Sequence, residues 1–284
     1  MSSSGMLQDK HAVVFGGGGS IGAAVATELA SEGAEVFLAG RSPTTVDLAA
    51  KQITAAGGQA HSDVVDALDA AAVDGYLEAV VRQAGSIDIE VNATGPRISE
   101  HGHGKPVLEL AVDEFMTPVA TVLLSQFITA RAAARQMLEQ GSGVIIFLTA
   151  IPARVPLPGS SGVAAAYGAV EAVMRTMAIE LGAAGVRVVC LRTTANPDTR
   201  TIRDATAVRA KMLNITPEQA MARHAEGTML KVLPETADTA QAAAFPRVGP
   251  GAHDDRHRPQ RISRSGHGLR TPAARRSAGH GNAG

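Results

Sequence analysis

Residues 11–22 read HAVVFGGGGSIG. A short apolar run meets four consecutive glycines, and an alanine-rich helical pattern follows (Ala23, Ala24, Val25, Ala26, Leu29, Ala30). Strand, glycine turn and helix in that order make a phosphate cradle. Glycine lets the chain turn sharply and lets a pyrophosphate come close, and the helix N-terminus presents free N–H groups at the positive end of its dipole. Alone, GGGGS would read as a flexible linker; the flanking strand and helix favour the cradle. The expectation is a dinucleotide site with Gly16, Gly18, Ser20, Ile21 and Gly22 around the pyrophosphate.

Outward from this turn, apolar runs alternate with helical patterns. Strands are expected at residues 12–15, 35–39, 59–62, 87–92, 144–148 and 187–191, with helices at 21–32, 44–56, 67–83, 112–139 and 164–181. This alternation predicts parallel strands with right-handed crossovers, a Rossmann-type doubly wound α/β sheet in one domain spanning residues 1–245. Thr216, Pro217 and Gln219 mark a further helix start, with a capping box and proline at the first helical position. Residues 234–245, PETADTAQAAAF, read as a last helix.

The chain of 284 residues is 45% hydrophobic, enough for a sizeable core, yet only 3% aromatic and without Trp. Such an interior relies on Ala, Val, Leu and Ile. The single cysteine, Cys190, excludes an intramolecular disulfide and suits a reducing compartment. The opening MSSSGMLQDK lacks a basic-then-apolar signal pattern, and no apolar run reaches membrane-spanning length. A cytoplasmic protein without a membrane partner is expected.

Several spaced motifs together resemble the short-chain dehydrogenase/reductase family over residues 8 to 245. The family's TGxxxGxG aligns with residues 15–22, where Gly16 and Gly22 match, Phe15 replaces the Thr and Ser20 replaces the middle Gly. Its NNAG aligns with Asn92-Ala93-Thr94-Gly95. Its Asp-Val pair along the adenine is Asp63-Val64, and its GIRV is Gly185-Val186-Arg187-Val188. The resemblance implies an NAD(P)-dependent oxidoreductase acting on a small carbonyl or alcohol substrate, with Asn92, Ala93 and Gly95 beside the cofactor, and a homo-oligomer. At the end of the second strand, where an acidic residue would select NAD(H), stand Arg41 and Ser42. An arginine fork and a hydroxyl there suit a 2′-phosphate, so NADP(H) is favoured over NAD(H); the alternative is that Arg41 is a solvated helix-entry residue.

In the family a Tyr serves as acid/base, a Lys four residues on lowers its pKa, a Ser polarises the carbonyl and an Asn supports a water relay. Here Tyr167 falls where that Tyr belongs, but Glu171 stands at the Lys position, and no Lys occurs between Lys105 and Lys211. A carboxylate one turn away raises a phenol pKa instead of lowering it. Arg175 lies two turns on and reads as a surface partner of Glu171 at i,i+4. The Ser position aligns with Thr149 and Ala150, and the Asn position falls near Thr121 and Val122. Thr193 and Thr194 replace the family's Pro-Gly, and the Thr194 hydroxyl can still face the cofactor. The catalytic candidates are therefore Tyr167 and Thr149. The alternative is a non-catalytic NAD(P)-binding protein, a sensor or an inactive relative. His101 and His103 (HGHGK), with no nearby carboxylate or Cys, read as a solvated glycine loop, and no metal is expected. Cys190 reads as a small core residue.

Past Phe245 the composition changes. Residues 246–284 hold eight Arg, no Lys and two Asp, net +6, whereas the first 245 hold 18 basic and 25 acidic residues, net −7. With no aromatics and few aliphatics, this tail is expected to be disordered. Back-translated with free third bases and read one base later, its start gives LASDRAHMTTGTARNVS, which resembles the family's C-terminal segment. The expectation is a frame-shifted reading of that segment. A nucleic-acid-binding arm is disfavoured because interleaved aromatics and Lys are absent. If the tail has no folded counterpart, a damaged product is a further alternative.

Overall fold

The computed structural model describes residues 5–245. Its elements in chain order are β1 (His11–Phe15), α1 (Ser20–Ser31), β2 (Glu35–Gly40), α2 (Pro43–Ala55), β3 (Gln59–Val64), α3 (Ala70–Ala84), β4 (Ile89–Asn92), α4 (Val112–Pro118), α5 (Leu124–Gln140), β5 (Gly143–Ala150), α6 (Ser161–Gly182), β6 (Val186–Thr193), α7 (Arg200–Leu213), α8 (Pro217–Glu226) and α9 (Thr236–Ala244). The six strands form one sheet in the order β3-β2-β1-β4-β5-β6, every pair parallel. The chain runs outward one way from β1 and then returns to run outward the other way from β4. That reversal opens a crevice at the C-terminal ends of β1 and β4, where ligands bind in such sheets. The doubly wound reading is borne out, and the expected strands and helices are all present.

Alternation along the strands supplies two apolar faces, as a parallel sheet covered on both sides requires. Val13, Phe15, Ile145 and Phe147 face α3, α5 and α6. Ala12, Val14, Val91 and Ile146 face α1, α2 and α9. Phe15 meets Tyr76 of α3 edge-on, with ring centroids 5.9 Å apart. Small side chains let helices approach closely: α1 lies on the sheet through Val25, Ala26 and Leu29, and α9 joins it through Ala240, Ala243 and Ala244. Asn196, buried after β6, ties α9 down by donating to the carbonyls of Pro234 and Glu235 and to the Thr239 hydroxyl at 2.9–3.2 Å.

Local details differ from expectation for identifiable reasons. The third helix begins at Ala70, because the Asp69 carboxylate caps it by accepting from Ala71 N and Ala72 N, both at 3.0 Å. The long helix expected at 112–139 is interrupted by a π-helical turn, Val119–Leu123, directly after Pro118. Proline has no N–H to give the preceding turn, which favours such a register change. The capping box at α8 forms as read: Gln219 N donates to Thr216 Oγ1 at 3.2 Å, and Thr216 N donates to Gln219 Oε1 at 3.0 Å. No described helix is long and apolar enough to cross a membrane. The tail expected at 246–284 lies outside the described residues.

One buried group runs against the apolar pattern. Glu90, in the middle of β4 with Val13 and Ile145 as its neighbours across the sheet, is 1% exposed. Its Oε1 has no hydrogen-bond partner among the described residues. Burial pushes its carboxyl up to about 8. In the unfolded chain the same group ionises at about pH 4.3, so between these values folding takes up a proton and stability falls as pH rises. Glu90→Gln should therefore stabilise the protein, with a gain over the parent that grows from pH 5 to pH 8 and then levels. Urea midpoints at pH 5, 7 and 8.5 measure this; a gain that does not grow with pH would contradict it.

Candidate functional site

The crevice at the β1/β4 reversal is a cavity of about 490 Å³. Its floor is the turn between β1 and α1. Gly16 has φ +73°, and a Cβ there would come within 2.9 Å of the Ala93 backbone, so the turn can lie on the chain leaving β4 only as glycine. A Cβ on Gly22 would collide with the Gly16 carbonyl oxygen; its absence lets α1 start directly over the turn. Gly17 N donates to Ala39 O at 3.0 Å and Gly19 N to Gly16 O at 2.9 Å, which hold the loop's shape. No side chain caps α1, and its first turn carries no acidic residue. The first N–H groups of a helix have no intrahelical acceptor, so this end is suited to an anion.

From this floor the cavity runs two ways. On the β2–β3 side it is lined by Gly18, Gly40, Arg41, Ser42, Thr45 and the segment 65–68; on the β4–β5 side, by Ala93, Thr94, Gly95, His101, Thr121 and Ser125. The structure thus brings Gly16, Gly18, Arg41, Ser42, Ala93 and Gly95 to one cavity. Ser20, Ile21 and Gly22 stand at the head of α1 just behind it. Asp63 and Val64 do not reach it. Both are exposed at the end of β3, and Val65, Asp66, Ala67 and Leu68 line the cavity in their place. The strand runs through Val64 in register with Gly40, so the chain turns into the crevice only after the expected pair.

Asn92 is a support beneath the cavity. Its Oδ1 accepts from Thr94 N at 2.9 Å and its Nδ2 donates to Thr129 Oγ1 at 2.9 Å, fastening the end of β4 to α5. Thr94 and Ser125 share a hydroxyl–hydroxyl contact of 2.7 Å on the cavity wall. Neither hydroxyl carries a signal in the sequence, where each reads as an ordinary polar residue.

The expected catalytic pair is set apart from this cavity. Tyr167 on α6 and Thr149 on β5 are not among its lining residues, nor is Thr194. Burial pushes the Tyr167 phenol up to about 12. The sequence expectation of a raised phenol holds in direction, but burial is the cause and not the Glu171 charge. Glu171 is itself occupied, and not by Arg175. It is 2% exposed, and it accepts from Arg192 Nε at 2.7 Å on one oxygen and from Arg154 Nε at 2.7 Å on the other. Arg192 comes from β6 and Arg154 from the loop after β5, so a carboxylate on α6 clamps three segments. Arg175 lies on an outward turn of the helix and is partly exposed. The two guanidiniums hold the Glu171 carboxyl below the usual range. Thr149 Oγ1 lies 3.4 Å from Glu171 and 3.2 Å from Cys190 Sγ, so Cys190 packs into the margin of this cluster. Burial and the Glu171 charge raise its thiol.

The loop read as solvated is not. His101 is 4% exposed and lines the cavity, and its Nε2 has no partner among the described residues. No group of three or more His, Cys, Asp or Glu suited to a metal occurs among the described residues.

With this geometry the comparisons with known proteins agree. The profile described as short chain dehydrogenase matches residues 10–207. A D-threitol dehydrogenase of Mycolicibacterium smegmatis is 31% identical over 183 residues, 64% of this chain and 68% of that one. Among solved structures, levodione reductase superposes with a TM-score of 0.77 at 26% identity, covering 84% of this chain and 90% of that one. NAD+-bound xylitol dehydrogenase superposes with a TM-score of 0.79 at 24% identity, covering 84% and 92%. The chain belongs to the short-chain dehydrogenase/reductase family of NAD(P)-binding oxidoreductases.

Because Glu171 is a buried anion held by two half-exposed arginines, removing it loses both ion pairs while leaving the arginines to water. Glu171→Ala should cost about 2 kcal/mol, the range of hydrogen bonds to charged groups. Its folded carboxyl is held down, so its ionic contribution is present above about pH 4.3 and is lost as pH falls through the lower folded value. The stability difference between the parent and Glu171→Gln should accordingly shrink on acidification. Denaturation at pH 7 and at pH 3.5 tests both statements; a parent no more stable than either variant at pH 7 would refute the clamp.

Proposed function

We propose that this chain is an NADP(H)-dependent oxidoreductase that moves a hydride between the nicotinamide and a small carbonyl or alcohol, with non-standard acid–base machinery. The observation that carries the reading is the continuous cavity from the glycine turn past Arg41 and Ser42. An arginine and a hydroxyl there, with Thr45 alongside and no carboxylate at the end of β2, suit a 2′-phosphate and would not bridge two ribose hydroxyls. The bound cofactor would supply or accept the hydride. Gly16, Gly18 and the first turn of α1, with Ser20, Ile21 and Gly22, would hold its pyrophosphate; Ala93 and Gly95 would let its other half lie close on the end of β4. Tyr167 and Thr149 are the hydroxyls that family resemblance offers for the reaction, and the acid–base step would be non-standard because Glu171 stands at the position of the family's lysine. The names of the relatives, D-threitol and xylitol dehydrogenases, point to polyols as first substrates to try. The second reading, a non-catalytic cofactor binder, is favoured by one observation: the position of the family's lysine holds a buried carboxylate locked between two arginines.

Thermal melts with NADPH and NADH, followed by initial rates with D-threitol and xylitol and either oxidised cofactor, test this. Saturation at a hundredfold over Kd adds about 2.7 kcal/mol of stability, and the larger shift should come with NADPH. Arg41→Ala should weaken NADPH about tenfold to a hundredfold, the equivalent of one lost charge-assisted hydrogen bond, and leave NADH binding little changed. A shift with NADPH but no turnover favours the second reading; equal loss of both cofactors in Arg41→Ala would remove the NADP(H) preference.

The domain of this activity is taken as residues 1–245, with 246–284 as a frame-shifted reading of the family's last segment. Among the described residues β6 has a sheet neighbour on one side only, β5, which is the edge that a restored segment would meet. An open strand edge favours association, so the homo-oligomer implied by the resemblance depends on the chain beyond residue 245. Coding DNA read across codon 245 should return the LASD-type ending on a one-base shift; failure of every one-base shift to do so ends this proposal.

A further inference from the structure

Hydride transfer to a carbonyl leaves an alkoxide that needs a proton, and the reverse reaction needs a base for the hydroxyl. Near neutral pH that group must both give and take a proton within reach of the hydride site. In a sheet of this order the dinucleotide lies across the reversal. With the 2′-phosphate end at Arg41, Thr94, Gly95 and Ser125 on the β4–β5 side would hold the nicotinamide.

The ionisable groups lining the cavity are few. Asp66 lies at the Arg41 end. Arg41, Arg97 and Arg200 are fixed cations. Glu100 is exposed and paired with Arg97 at 3.1 Å. Tyr167 is outside the lining, and Glu171 is held by its arginines. His101 remains. It follows the short 3-10 turn Ile98–Glu100 and is buried on the β4–β5 side. Its ring stands edge-on to His103, with centroids 5.5 Å apart. Gly102 (φ +60°) and Gly104 (φ +93°) fold the loop back. Gly104 N then donates to Gly159 O at 2.8 Å, fastening this loop to the one that leads into α6. A buried imidazole nitrogen without a partner is a group that awaits one.

We propose that His101 is the acid–base residue of this site, meeting the substrate oxygen through Nε2; the proposal rests on the enzymatic reading above. In the oxidation direction neutral Nε2 would take the alcohol's O–H proton and become an imidazolium, and the oxidised cofactor, when bound, would accept the C–H hydride, leaving the carbonyl. Reduction runs the same transfers backwards. The charged and titratable groups around the ring are Glu100 on the preceding turn, His103 on the same loop, and Arg200 on α7; Arg209 on the same helix bears on His103. Burial outweighs the raising effect of Glu100, so the imidazole titrates below its ordinary value and is neutral at pH 7. This is the form that oxidation requires.

The test uses the full chain with NADP+ and either D-threitol or xylitol. Wild-type oxidation should rise with pH through one ionisation below about pH 6.5 and then level. His101→Gln should lose activity by about a hundredfold or more and lose that ionisation, while its melt still rises with NADP+. A His101→Gln variant that keeps the NADP+ shift and retains activity within about fivefold of wild type, far short of the loss expected for an acid–base group, overturns the assignment. So does a wild-type profile with no ionisation below about pH 6.5, which keeps the test open even if His101→Gln does not fold. Loss of turnover in Tyr167→Phe with turnover retained in His101→Gln would return the role to the tyrosine. A wild type that binds NADP+ but oxidises neither polyol fails the enzymatic reading itself, and the role of His101 with it; activity in both proteins fails only the role of His101.

Discussion

The whole arrangement hangs on a contact that only glycine permits. The carbonyl oxygen of Gly16 occupies the space that a side chain on Gly22 would fill, so α1 begins immediately above the end of β1. That closeness aims the uncapped start of α1 at the crevice, sets the depth at which Val25, Ala26 and Leu29 meet the sheet, and leaves α9 the groove beside them. A second close approach, Gly16 on the Ala93 backbone, brings the chain leaving β4 to the same floor. Sheet reversal, glycine turn and cavity are one geometric fact seen from three sides.

The cluster around Glu171 on α6, outside that cavity, is governed by charge. Glu171 is a buried anion met from two directions by arginines. The resulting clamp joins α6, β6 and the loop after β5 through contacts of 2.7 Å. The carboxylate holds backbone segments together.

Much of the fold is legible in the sequence because it comes from period and punctuation. Apolar alternation marks the strands, Thr216-Pro217 with Gln219 marks a helix start, and the glycine cluster marks the turn; these are local signals, and each forms as read. The cavity is legible where residues sit on or beside the turns that form it, Arg41 and Ser42 included. Gly16, Gly18, Ala93 and Gly95 line the cavity, and at Gly16 and Gly18 a side chain would collide with the Ala93 backbone and with Thr45. Residues whose role depends on where a side chain points are harder. Asp63 and Val64 miss the cavity because β3 runs two residues further than its pattern suggests. Helical spacing alone pairs Arg175 with Glu171, whereas the real partners lie 17 positions before and 21 positions after it. His101 reads as solvent-exposed because glycines usually mark surface loops, and no local rule shows that Gly104 and Gly159 bring two loops together.

That junction between Gly104 and Gly159 constrains how this protein can diversify. Loops at the mouth of an α/β sheet are where relatives ordinarily vary independently, one exchanged without disturbing the next. Here the Cα of Gly104 lies where a side chain on Gly159 would have to go, and a main-chain hydrogen bond joins the pair. The loop after β4 and the loop after β5 therefore behave as a single inheritable unit. Grafting either one alone from another member of the family would displace the histidine that the junction holds in place, so new specificities on this scaffold have to be installed in both loops at once.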